Sequence, residues 1–122
     1  MIELLTAITN EFRLVTAEAF HDRNTKDTVV YPYLTFDLSS EALERNTEGF
    51  YIDVDLFDHD ASYTRLFALE QALKDHFKDN RKLTDDLYIR YRFTRSNTVP
   101  TGDAMIKRRN IQIYAVTDWR KK

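Results

Sequence analysis

Four aspartates and a histidine fall within eight residues: Asp53, Asp55, Asp58, His59 and Asp60. Paired carboxylates can hold Mg²⁺ or Ca²⁺. On an extended strand Asp53 and Asp55 share one face, with carboxylates about 7 Å apart. A two-metal phosphoryl-transfer site needs such a pair plus a further acid, often with a lysine. No lysine follows at a usable spacing on that segment. The competing reading is a solvated strand face followed by a helix-capping turn.

Other reactive side chains are sparse. His21, His59 and His76 are the only histidines, and no two have the i, i+4 spacing of a helical metal site. They are expected on ordinary polar surface, His76 on the polar side of its helix. Four serines, none in a GxSxG setting, make a weak case for a nucleophile. With only Gly49 and Gly102, the chain has no glycine-rich phosphate loop. HExxH and EF-hand patterns are missing too. The absence of cysteine excludes a disulfide framework, a Cys-ligated metal and a thiol nucleophile, and fits a reducing compartment. No enzymatic activity, cofactor or metal is expected.

A basic–aromatic stretch carries Tyr88, Arg90, Tyr91, Arg92, Phe93 and Arg95, followed later by Lys107, Arg108 and Arg109. Aromatics among basic residues are a mark of single-strand nucleic-acid binders. Strand alternation sends Tyr91 and Phe93 inward and leaves only Tyr88 with the arginines. The chain also lacks a general positive excess, with a net charge of −2. A small nucleic-acid-binding module is therefore the alternative function, ahead of a metal-dependent enzyme built on the 53–60 acids.

The charge is unevenly spread. Residues 1–85 hold 9 Lys/Arg against 17 Asp/Glu, whereas residues 86–122 hold 9 against 3. A chain with an acidic and a basic part can dock on its own copies or on a charged partner. Alternatively the two parts fold together and their charges mix on one surface.

These residues must be positioned by elements legible in the hydrophobic pattern. A chain of 122 residues, 43% hydrophobic and 31% charged, has the balance of one soluble globular domain. No apolar run approaches the roughly 18 residues of a membrane helix. The start, MIELLTAITNEF, carries Glu3 and Glu11 without a basic lead and is not expected to be a signal peptide. Residues 2–20 are expected to be helical, with Ile2, Leu5, Ile8, Phe12, Val15 and Ala19 on one stripe. Residues 29–38 read as a strand, which Pro32 demotes to an edge or of which it marks the first paired residue. Residues 39–49 read as a long hairpin loop or a short helical turn. Residues 50–57 are the clearest strand, with Phe50, Ile52, Val54 and Leu56 inward. A second helix is expected over 62–78, capped by Asp60 or Ser62. Residues 79–85 read as a polar break, 86–95 as a strand, 96–104 as a loop and 105–118 as a last strand. The predicted fold is α+β in the order α-β-β-α-β-β: a mainly antiparallel sheet with two helices packed on one face. The whole of 1–122 is expected to be a single domain, with 119–122 a short basic tail.

Three stretches together carry a resemblance: YPYLTFDLSSE at 31–41, FYIDVDLFDHDAS at 50–62 with the helix TRLFALEQAL after it, and IKRRNIQIYAV at 106–116. Over about residues 29–118 the chain resembles the small neck proteins of tailed bacteriophages and prophages, the tail terminator and head–tail joining (tail completion) proteins. That resemblance implies a non-enzymatic structural protein that forms a ring, usually a hexamer. Such a ring terminates the tail tube or joins the tail to the capsid connector, and DNA passes through without specific binding. The implied partners are further copies of the chain, the tail tube protein and the head connector protein. The implied location is the virion, and the bacterial host cytoplasm during assembly. A head-to-tail ring needs two different complementary patches on one subunit. Arg90, Arg92, Lys107, Arg108 and Arg109 are the candidates for one patch. Asp53, Asp55 and Asp58 either meet it on the neighbour or face the channel and repel DNA. The 96–104 loop is a further docking candidate.

Overall fold

The computed structural model describes residues 2–120. Its elements run in the order α1 (Ile2–Val15), β1 (Ala19–His21), β2 (Tyr33–Glu44), β3 (Thr47–His59), α2 (Thr64–Phe77), β4 (Arg81–Leu83), β5 (Leu87–Thr98) and β6 (Ile106–Trp119). The six strands form one sheet in the order β1-β2-β3-β6-β5-β4. Every pairing is antiparallel except the short parallel contact of β1 with β2. The expected α+β fold and its α-β-β-α-β-β core are present, with two three-residue strands added at the sheet edges.

Alternation explains which face is covered. Phe50, Ile52, Val54 and Leu56 of β3 are fully buried, as are Ile111, Ile113 and Ala115 of β6. Both helices lie over this face. Phe12 of α1 stands 4.8 Å from Phe36 of β2 and 5.0 Å from Phe77 of α2, ring centre to ring centre. Leu66, Leu69, Leu73 and Phe77 form the buried stripe of α2, at the spacing an amphipathic helix requires.

Several expectations need correction. The first helix stops at Val15. Thr16 accepts a hydrogen bond from the Glu18 amide at 3.2 Å, a local turn that competes with helix. Buried Ala19 and Phe20 then belong to β1, which lies along residues 34–36. Ile2 is 77% exposed, and Leu4 takes its place in the core. Residues 39–49 are neither loop nor helix. They extend β2 and β3 into a hairpin whose turn includes Asn46 at φ 67, a left-handed conformation that asparagine tolerates. Strand β5 likewise reaches into the expected 96–104 loop, as far as Thr98, while β6 begins beyond it at Ile106. Pro32 stands just before the first residue of β2, and the Tyr31–Pro32 bond is cis. Helix α2 is capped at Tyr63, with no side-chain cap bond. Asp60 and Ser62 instead accept turn bonds from the Ser62 and Thr64 amides.

Candidate assembly interface

The sheet face away from the helices carries the outward residues of four strands. Register places Asp37 opposite Asp53, Asp53 opposite Gln112, and Gln112 opposite Arg95, in one row across β2, β3, β6 and β5. The row through Ser39, Tyr51 and Tyr114 ends at Arg92, and the row through Glu41, Gly49 and Val116 ends at Arg90. Acid therefore lies on the β2–β3 side of this face and arginine on the β5 side.

At the seam the two signs meet and neutralise each other. Arg108 of β6 reaches Asp55 of β3 at 3.1 Å. The amide of Asn110 donates to both Asp53 and Asp55, at 2.8 and 3.2 Å. Hence the central charges are already engaged within one chain. The flanks differ. Asp37, Glu41, Arg92 and Arg95 are exposed. Glu41 accepts a 2.8 Å bond from Tyr114, and Arg92 lies over the ring of that same tyrosine at 5.9 Å. Desolvation first, and the bond to Glu41 second, push the Tyr114 hydroxyl up to about 12. Arg90 is 3.4 Å from Asp118 and 5.8 Å from the Tyr88 ring.

The expected basic patch is divided by strand alternation. Arg108 is on the open face, whereas Lys107 and Arg109 stand opposite Asp58 and Leu56, on the helix side. Arg109 forms a forked pair with Glu70 of α2 at 2.8 and 3.1 Å and lies 5.2 Å from the Phe67 ring. The Glu70 bond holds its guanidinium above the ordinary arginine range. Lys107 bonds the Ala104 carbonyl and stands over Tyr63. Arg109 and Lys107 thus fasten α2 and the β5–β6 hairpin to the sheet. The structure brings Arg90, Arg92 and Arg108 to one face, and adds Arg95.

The acidic cluster also separates. Asp53 and Asp55 face outward, but Asp58 is 0% exposed. It binds Arg65 of α2 through both carboxylate oxygens, at 2.6 and 3.1 Å, and accepts the His59 amide at 2.8 Å. Asp58 is therefore a buried anchor of α2, unable to meet a neighbour or a channel from this position. Asp60 lies 3.4 Å from the same arginine. Among the described residues, no three His, Asp or Glu side chains converge as a ligand set.

The histidines have unrelated surroundings. His21 is 3.7 Å from Asp37, and His59 lies beside the Tyr31 ring. His76 is not ordinary polar surface. Its Nε2 is 3.0 Å from buried Glu11, which also accepts from Asn80 at 3.0 Å. This network ties α1 to the end of α2. The Tyr91 hydroxyl is buried without a hydrogen-bond partner among the described residues, and burial, then the Glu11 charge, push its pKa up.

No family model matches the chain, and no curated protein matches it. The fold is similar to that of a chain in the solved structure described as "Virion of native gene transfer agent (GTA) particle". That similarity has a TM-score of 0.65 and 14% sequence identity, and covers 88% of this chain and 84% of the other. At this identity the likeness is one of fold.

Proposed function

We propose that the chain is a structural protein of a phage or phage-like virion, assembling as a ring at the head–tail interface. There it either terminates the tail tube or joins the tail to the capsid connector. The observation that carries the reading is the helix-free sheet face, acidic at one flank and basic at the other. Two unlike, complementary flanks on one subunit are what a head-to-tail ring requires. The fold likeness to a chain of a gene transfer agent virion supports the same class of role. Further copies of this chain, a tail tube protein and a head connector protein are the partners of this reading. DNA passes through the ring without base-specific contact.

Removing the chain from a producing phage or prophage tests this. Unattached heads and tails are the expected product in thin-section or negative-stain microscopy. Free tails of irregular length assign the terminator role, and free tails of uniform length assign the joining role. Complete particles at normal yield would refute the proposal.

A further inference from the structure

Both long hairpins leave one strand edge uncovered. β1 pairs with β2 only over Leu34–Phe36. Residues 38–44 of β2 thus have a ladder on the β3 side alone. β4 pairs with β5 only over Tyr88–Arg90, and the last bond on that side runs from the Tyr91 amide to the Asn80 carbonyl. Residues 92–98 of β5 have a ladder on the β6 side alone. Among the described residues these are two open windows of seven residues, at opposite rims of the sheet. Open edges pair with other chains unless they are blunted by proline, by charged side chains (lysine above all) or by a bulge. Neither window contains proline or lysine; each carries one ladder irregularity and two charges of a single sign.

We infer that copies of this chain join edge to edge, residues 92–98 of β5 on one subunit pairing antiparallel with residues 38–44 of β2 on the next. This rests on the ring reading above and specifies its subunit contact. Direction agrees. Successive antiparallel pairings make β2 and β5 run in opposite senses, so two similarly oriented copies bring them together antiparallel. Register agrees too. Setting Leu38 beside Thr98 fills both windows and puts Glu41 beside Arg95 and Glu44 beside Arg92. All four charged residues are exposed and project from the helix-free face. The ladder irregularities at Ala42/Glu44 and Phe93/Arg95 then lie opposite each other, which keeps the two strands in phase. The three-residue strands act as stops: β1 blocks the rest of β2, and β4 blocks the start of β5. A two-fold contact filling the same window on identical edges would instead set Glu41 against Glu41, or Arg95 against Arg95, which is unfavourable. Within one subunit Leu38 is level with Phe93, so the contact offsets neighbours along the strands. Such an offset is the shear that tilts strands around a closed barrel.

Ser40 and Ser96 fall opposite each other in this register, on the same side, and the chain has no cysteine to interfere. The full chain carrying Ser40→Cys and Ser96→Cys, concentrated and mildly oxidised, should give a ladder of disulfide-linked oligomers on a non-reducing gel. Each single variant should stop at dimers. Light scattering on the unoxidised chain is run in parallel. Oligomers in scattering without a disulfide ladder would overturn the edge contact and leave the ring reading standing. Monomers in scattering and no ladder would overturn the contact and remove support from the ring of the isolated chain. As a second measurement, Glu41→Arg or Arg95→Glu alone should weaken association roughly 5- to 30-fold per contact, and the two together should restore it. No rescue by the double reversal would also overturn the register.

Discussion

Replacing Arg65 by alanine should destabilise the fold more than replacing Asp58, although both changes break the same ion pair. The Asp58 carboxylate has no solvent exposure, and its three bonds come from the Arg65 guanidinium (two) and the His59 amide. Arg65→Ala leaves this carboxylate in the core with one amide donor. Uncompensated buried charge of that kind costs about 3–5 kcal/mol. Arg65 itself is 50% exposed, and it also bonds the His59 carbonyl at 3.2 Å and approaches Asp60. After Asp58→Ala the guanidinium returns to water and keeps those contacts. The loss is then the charge-assisted bonds alone, about 1–3 kcal/mol. The double variant should resemble Asp58→Ala rather than the sum, because removing the acid removes the penalty that the missing arginine exposes. Urea unfolding followed by circular dichroism measures all three, with an unchanged denaturant slope as the check that compactness is preserved. If Asp58→Ala costs as much as Arg65→Ala, or the double variant is additive, the buried-anchor assignment is wrong. Asp58 would then belong with Asp53 and Asp55 as a surface acid.

Two further outcomes test the packing around the sheet. Tyr91→Phe should stabilise the protein at pH 7 by about 1 kcal/mol, since it removes a buried hydroxyl without a hydrogen-bond partner among the described residues. The same variant fixes the sign of the alkaline response: the folded pKa of Tyr91 lies above its ordinary 10.0, so its contribution is complete below pH 10.0 and is lost as pH rises beyond it. Wild type should therefore lose stability above pH 10.0 more steeply than Tyr91→Phe, read by thermal melts across that range. Gly49→Ala should lower stability by about 1 kcal/mol, because a methyl there would lie 1.9 Å from the Tyr114 hydroxyl and force the ring off Glu41. In a Tyr114→Ala background that cost should vanish.

What the sequence made legible follows from which faces are apolar. Strands 50–57, 86–95 and 105–118 alternate apolar and polar residues because one face meets the helices, and Phe50, Ile52, Val54, Leu56, Tyr91 and Phe93 turn inward as read. The same alternation carried two signals that composition obscured. Counting from Ile52 through Val54 and Leu56 puts Asp58 on the buried side, and consecutive Arg108 and Arg109 must point to opposite faces. Reading the charges as clusters along the chain, rather than by parity, merged residues that the sheet separates. β4 is exposed at all three residues and leaves no hydrophobic trace. β1 hides differently, because Ala19 falls on the periodicity of the helix before it.

The two hairpin arms were missed for a deeper reason. Residues 39–44 and 96–98 are exposed on both faces, so they have no alternation to detect. They are strands because a neighbouring strand supplies a backbone ladder, not because they bury side chains. A strand of this kind contributes little to the core of its own subunit. Its unpaired amides and carbonyls and its charged side chains are the groups a second chain can use. The segments least visible to a hydrophobic pattern are thus the ones on which edge-to-edge assembly depends. Their sequences carry the partner's requirement instead: glutamate at 41 and 44 on one arm, arginine at 92 and 95 on the other, with the same three-residue spacing.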